Sequence, residues 1–342
     1  MKAFLMKQTV NLSECNHPLF LSDIPEPILL ENEILIKVSV CGVCHTELDE
    51  IEGRTPPPSL PVVPGHQAVG VVIAAGRSVR RFQIGDRIGA AWIFSTCGVC
   101  HYCRSNRENL CPDFKATGRD ANGGYAEYMK VGEDFAYLIP QNFSDAQAAP
   151  LLCAGAIGYR SLHLTGLKDG QNLGLTGFGA SAHLVMKMAK KLYPNSSIYV
   201  FARNEEERTF ARELGAVWAG SIKESAPVKL DAIIDTTPVW LPILEALKNL
   251  APGGRLVINA IRKEDADKDL LLELDYSSQL WMEKEIKSVA NVARSDVADF
   301  LKLASQIFIN PIIEEYPFVE ANTALLDLKQ KRIRGAKVLR IS

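Results

Sequence analysis

Leu173-Gly-Leu-Thr-Gly177-Phe-Gly179-Ala180-Ser181-Ala182-His183 begins as an apolar strand and passes through two glycines into a helix-forming run. Glycines at a strand-to-helix turn let the backbone approach a pyrophosphate, whose charge then rests on free amides at the helix N-terminus. Ala182 holds the place of the third glycine in G-x-G-x-x-G, so taken alone the run fits a merely tight turn about as well. Its surroundings favour the dinucleotide reading. Apolar runs recur at Ile198 to Phe201, Ala232 to Ile234 and Leu256 to Ile258, with helical stretches between them. That alternation predicts a doubly wound α/β domain with a parallel sheet.

The second strand of such a domain ends, about twenty residues on, in an acid that binds a free ribose hydroxyl. Here it ends Phe201-Ala202-Arg203-Asn204, with no carboxylate and one guanidinium. This predicts NADP(H) over NAD(H), because Arg203 suits a 2'-phosphate; the competing reading is an arginine that simply faces solvent. The candidate cofactor residues are Gly177, Gly179, Ala180, Ser181, Ala202 and Arg203.

Upstream the texture differs. Short strand-like runs at Ile34 to Val40, Ala68 to Ala74, Arg87 to Ile93 and Tyr125 to Val131 are broken by proline and glycine, which predicts an irregular β-domain. After Asn291 come a helix through Phe300 to Ala304 and Pro-bounded strands ending in Lys337 to Ile341, expected to rejoin that first domain. The 342 residues suggest two domains, and 47% hydrophobic content is enough for real cores. A net charge of -2 leaves no electrostatic footprint for nucleic acid. No run of eighteen apolar residues predicts a membrane span. The charged stretch Lys263 to Asp269 has mixed sign and reads as a solvated loop or helix start.

Four of the eight cysteines, Cys97, Cys100, Cys103 and Cys111, stand in the run C-x-x-C-x-x-C-x7-C. This spacing suits four thiolates around one zinc ion, a closed site that staples a loop. An iron-sulfur cluster is the rival reading. A disulfide framework is disfavoured in a chain of this size with a polar start, and reduced thiols point to the cytoplasm. A second possible set, Cys44, His66 and Cys153, is scattered, and spacing alone does not assign it. Two thiolates and one imidazole would suit a catalytic zinc with its fourth position open.

Several motifs together identify a resemblance: Cys41-Gly-Val-Cys44-His45-Thr46, Gly65-His66-Gln67-Ala-Val-Gly70, Gly85-Asp86-Arg87, the four-cysteine loop, Gly123-Gly124-Tyr125-Ala126-Glu127-Tyr128, and Pro150 to Gly155. Over essentially its whole length the chain resembles the zinc-containing alcohol dehydrogenases of the medium-chain dehydrogenase/reductase superfamily. The resemblance implies a GroES-like catalytic domain at 1–153 and 288–342 and a Rossmann cofactor domain at 154–287. It implies catalytic zinc on Cys44, His66 and Cys153, and structural zinc on Cys97, Cys100, Cys103 and Cys111. Thr46 would carry the alcohol proton outward, Glu47 would hold the zinc-binding histidine, and His45 would touch the cofactor pyrophosphate. The expected reaction is hydride transfer between a nicotinamide cofactor and a primary alcohol or aldehyde, with Trp92, Ile51 and Thr55 shaping the pocket.

The chain also departs from the family pattern. Gln67 replaces a glutamate that usually follows the zinc histidine, and Asp49, read as a surface carboxylate, stands where relatives end a proton relay in histidine. Ile157 and Ala336 replace a threonine and an arginine that contact cofactor. A polyol-type zinc dehydrogenase, or a non-catalytic zinc- and nucleotide-binding relative, is the alternative these departures keep open. The resemblance further implies a homodimer or homotetramer, paired through an edge strand placed at Leu256 to Ala260 onward.

Overall fold

Glu33–Val43 (β1) carries Ile34, Ile36 and Val38 at alternate positions, and all three are buried in one core. The computed structural model describes residues 1–330 and 335–342. These fall into two compact units, Met1–Ala156 with Val292–Ser342, and Ile157–Asn291. In the first unit β1 pairs antiparallel with Ala68–Ala75 (β2), in a register that sets Cys41 opposite Ala68. Extending that register brings the residues just after β1 level with those just before β2. Cys44 and His66 therefore meet although the hydrophobic pattern of neither strand says so. Helix α1, His45–Ile51, starts directly from Cys44, whose backbone is extended, and the Glu47 carboxylate accepts from the Cys44 amide at 2.8 Å.

Two predicted strands shift. Arg87 to Ile93 is interrupted, with strands at Arg87–Ala90 and Ile93–Ser95. Tyr125 to Val131 becomes Tyr128–Gly132, because Tyr125 turns fully inward beneath Gly65.

The second unit follows the alternating pattern: Leu173–Thr176 (β3), Ala180–Leu192 (α2), Ile198–Phe201 (β4), Glu205–Glu213 (α3), Trp218–Gly220 (β5), Leu230–Asp235 (β6), Leu241–Asn249 (α4), Leu250–Ile258 (β7) and Glu285–Ser288 (β8). All pairings are parallel, in the order β5-β4-β3-β6-β7-β8. β3 and β4 are buried at every residue, as strands covered on both faces must be. The direction of winding reverses between β3 and β6, and parallel sheets of this kind take their ligands outside the carboxyl ends of the strands at that point. Leu256 to Ala260 is not the edge: β7 is interior, and the edge is β8, whose residues are all exposed. β8 is half charged, so it offered no apolar run to find.

The chain then returns to the first unit. At the start of Arg294–Gln306 (α5), Asp296 accepts from the Ala293 amide at 2.7 Å, and Glu108 takes the first helical amide, at 2.7 Å from Arg294 N and 3.0 Å from Arg294 Nε. Glu108 lies between Cys103 and Cys111, so it fastens the cysteine lobe to α5. Farther along, α5 buries Phe300 so close to Gly155 that a Cβ there would lie 2.3 Å from the ring. That contact fixes the backbone two residues beyond Cys153. Ala336–Arg340 (β9) pairs antiparallel with the end of β1, Lys337 opposite Val43. Among the described residues no helix is long and apolar enough to cross a membrane.

Candidate active site

One donor atom each from Cys44, His66 and Cys153 comes within 4.8 Å of the others. Each is placed by a local device. Cys44 caps α1, and Cys153 ends the tight turn Ala149–Leu152. His66 follows Gly65, whose φ of +98° and lack of a Cβ are both needed, since a Cβ would lie 2.4 Å from Tyr125 and 2.9 Å from Cys41 Sγ. The buried imidazole turns Nδ1 to Glu47 Oε1 at 2.7 Å and Nε2 to Cys153 Sγ at 3.2 Å. A carboxylate on Nδ1 keeps the proton there and leaves Nε2 as a lone-pair donor. Cys44 is held well below the usual thiol range, first by the hydrogen bond from Cys153 and then by His66, while the same bond and burial hold Cys153 well above it. No fourth His, Cys, Asp or Glu joins the group among the described residues. This donor set fits zinc with one position open.

Around it, Thr46 Oγ1 lies 3.6 Å from Cys44 Sγ, and His45 is exposed at the start of α1. The Trp92 ring stands edge-on to His66 at 4.9 Å between centroids and is buried, so it serves both as core and as a wall beside the donors. Gln67 packs against the backbone of Gly42, where a Cβ would lie 2.6 Å from its Oε1. Asp49 is not the surface carboxylate expected: it is 8% exposed and accepts from Arg54 Nε at 2.6 Å. Sequence reasoning passed over Glu50 altogether. It is 2% exposed, with Oε1 unpaired, and burial followed by repulsion from Glu47 pushes it up to about 9. Its spacing of three from Glu47 puts it on the same face of α1, which was the available signal.

In the cysteine lobe the sulfurs of Cys97 and Cys103 are 3.9 Å apart, Cys100 and Cys103 3.6 Å, and Cys97 and Cys111 3.5 Å. A disulfide needs about 2.05 Å, whereas a tetrahedron with zinc–sulfur bonds of about 2.3 Å has edges of about 3.8 Å. Four sulfurs converging on one point leave room for one ion rather than several irons. Backbone amides of Val99 and Cys100 aimed at Cys97 bring its thiol down to about 7.

In the second unit, Gly177 has φ +77° and passes so near the next strand that a Cβ would meet Thr236 Oγ1 at 2.8 Å. A Cβ on Gly179 would meet nothing within 4 Å, and as the N-cap of the thirteen-residue α2 it contributes no capping side chain. The turn thus opens a helix with no capping side chain, beside open space, the arrangement that receives a pyrophosphate. Ala182 is fully buried, and Ser181 Oγ lies 3.3 Å from Asn259 Nδ2. Beyond β4, Ala202 is buried and Arg203 exposed, while Asn204 caps α3. The nearest acid, Glu205, already holds Arg208 and Arg212.

Comparison with known proteins agrees with this geometry. Residues 30–141 match the alcohol dehydrogenase GroES-like domain. The chain is 44% identical over 323 residues to a probable alcohol dehydrogenase of Mycobacterium tuberculosis, covering 93% of this chain and 91% of the relative. It is 30% identical to an alcohol dehydrogenase of Geobacillus stearothermophilus over 98% of this chain and 99% of that protein. A cinnamyl alcohol dehydrogenase of Sorghum bicolor superposes with a TM-score of 0.87 at 27% identity, over 99% of this chain and 97% of that one.

Proposed function

Because the chain belongs to the zinc-type alcohol dehydrogenases of the medium-chain dehydrogenase/reductase superfamily, we propose that it interconverts primary alcohols and aldehydes by hydride exchange with NADP(H). The observation that carries this reading is the three-donor set with its imidazole oriented by Glu47. Cys44, His66 and Cys153 would hold the catalytic zinc, and Cys97, Cys100, Cys103 and Cys111 the structural one. Zinc at the first set supplies a Lewis acid to the substrate oxygen.

The chain's own residues do the rest. Glu47 fixes the ring and tautomer of His66. Thr46, with a hydroxyl able both to accept and to donate, would take the alcohol proton, and a bound nicotinamide would supply the hydride acceptor. Asp49 is engaged by Arg54, so the proton passes from Thr46 to water. The α2 amides and Gly179 receive the pyrophosphate, and Arg203 takes the 2'-phosphate. The test is metal content by mass together with NADPH and NADH oxidation against an aldehyde panel; two zinc per chain without turnover on any aldehyde would overturn the proposal.

Cofactor choice has its own test. Arg203→Asp is expected to lower the NADPH-over-NADH ratio of kcat/KM by about tenfold or more, since a carboxylate would face the phosphate. Equal turnover with both cofactors in the natural protein, or an unchanged ratio in the variant, would count against the assignment.

The protein is further proposed to form a homodimer through β8. The outer edge of β8 has no strand partner among the described residues, and Ile286 within it and Trp281 and Met282 shortly before it expose apolar surface. An open edge of this kind pairs readily with its own copy about a two-fold axis. Ile286→Arg should shift the sedimentation coefficient to that of a monomer, and an unaltered coefficient would argue for another interface.

A further inference from the structure

We infer that Lys263 is a positioning residue for the dinucleotide: paired with Asp235, it fixes the segment Thr236 to Val239 against the glycine turn. The inference rests on the proposed nucleotide binding of the second unit and assigns a role to a charged stretch that the sequence reading placed in solvent.

Asp235 ends β6 and Thr176 ends β3, the two neighbouring strands between which the winding reverses. A dinucleotide lies outside the carboxyl ends of strands at that place. The Asp235 side chain is wholly buried and that of Lys263 is 9% exposed. Asp235 Oδ1 accepts from Thr176 Oγ1 at 2.6 Å and from Thr237 Oγ1 at 2.7 Å, and Oδ2 accepts from Lys263 Nζ at 2.5 Å. Lys263 Nζ also donates to the carbonyls of Thr237 at 2.8 Å and Val239 at 3.1 Å. An ammonium has three donors, and here each has an acceptor. Nothing is left over for a ligand, so Lys263 acts through the segment it holds rather than by touching phosphate.

The segment borders the turn directly. Thr236 donates from both N and Oγ1 to the carbonyl of Thr176, and the missing Cβ of Gly177 is the space that Thr236 Oγ1 and Thr237 Cγ2 fill. Farther along the stretch, Asp267 accepts from the amides of Trp240 and Leu241, at 2.9 and 2.8 Å to Oδ2. One stretch thus offers a cation to half-buried carbonyls and an anion to half-buried amides of the same crossing. Each charge matches the polarity of the backbone groups beneath it, which is why a mixed-sign run can fold down instead of remaining in water. Breaking a buried pair leaves a bare charge in low dielectric, so the segment would open to admit water and shift away from Gly177.

The experiment uses the full-length, zinc-loaded protein and measures NADPH and NADH dissociation constants by fluorescence titration for the natural chain, Lys263→Met, Lys263→Arg and Asp267→Asn. Lys263→Met is expected to raise the constant of whichever dinucleotide binds by about tenfold or more, with Lys263→Arg recovering a large part of the loss. Asp267→Asn, which strands no buried cation, is expected to raise it by about threefold. The cofactor KM should follow while kcat at saturating cofactor and two zinc per chain are retained, a split that general destabilisation would not produce. If Lys263→Met does not fold, Asp267→Asn decides. A dissociation constant unchanged in Lys263→Met, or in Asp267→Asn where the methionine variant does not fold, overturns the inference while leaving the proposed function standing; a natural chain that binds neither dinucleotide overturns both.

Discussion

His66→Ala is expected to lower kcat/KM by at least about a thousandfold, because Lewis-acid stabilisation of the substrate oxygen is worth several kcal/mol and each 1.36 kcal/mol is a factor of ten. The loss should fall chiefly on the chemistry. His66 is buried among Glu47, Trp92, Cys44 and Cys153, yet the sheet register that brings it to Cys44 is set by β1 and β2. Zinc content should therefore fall from two to one per chain with the circular dichroism spectrum retained. The variant also leaves Glu47 without its imidazole partner at zero exposure, so some stability is lost with the metal. Turnover within about tenfold of the natural protein with both metals retained would remove Cys44, His66 and Cys153 from the mechanism.

Cys100→Ser is expected to act on stability before activity. The four sulfurs of the lobe already stand at tetrahedral separations, and a closed metal site contributes its binding energy to the fold. Losing even about 3 kcal/mol lowers Tm by roughly 6 to 12 °C for a unit of this size. The effect should spread through Glu108, which caps α5 from within the lobe, and through Phe300 of the same helix, which rests on Gly155. Catalytic zinc would then be lost at lower chelator concentration than in the natural protein. A variant with natural Tm that keeps both metals would show that the lobe does not hold the fold.

The parts of the fold that could be read from the chain were those set by local pattern. β3 and β4 were found because strands covered on both faces must be apolar throughout, and the glycine turn because a close approach of backbone leaves no room for a Cβ. β8 was missed because an exposed edge strand needs no apolar run, and its identity depends on a strand order that does not follow the sequence. Asp49 was misplaced for a related reason. In a helix as short as α1, which side faces inward is decided by what packs on it, and Arg54 supplies the partner that makes an inward carboxylate tolerable.

By itself the sequence determined the family, the doubly wound second unit and the four-cysteine lobe, since short-range spacing alone lets four thiolates converge on one ion and lets an apolar run find a parallel sheet. Only the tertiary structure decided how Cys44, His66 and Cys153 meet, how Glu47 aims the imidazole, and that Lys263 lies buried on Asp235. Those arrangements join residues far apart in the chain, and whether a charge is solvated or paired is fixed by the groups that folding brings to it, which no local pattern records.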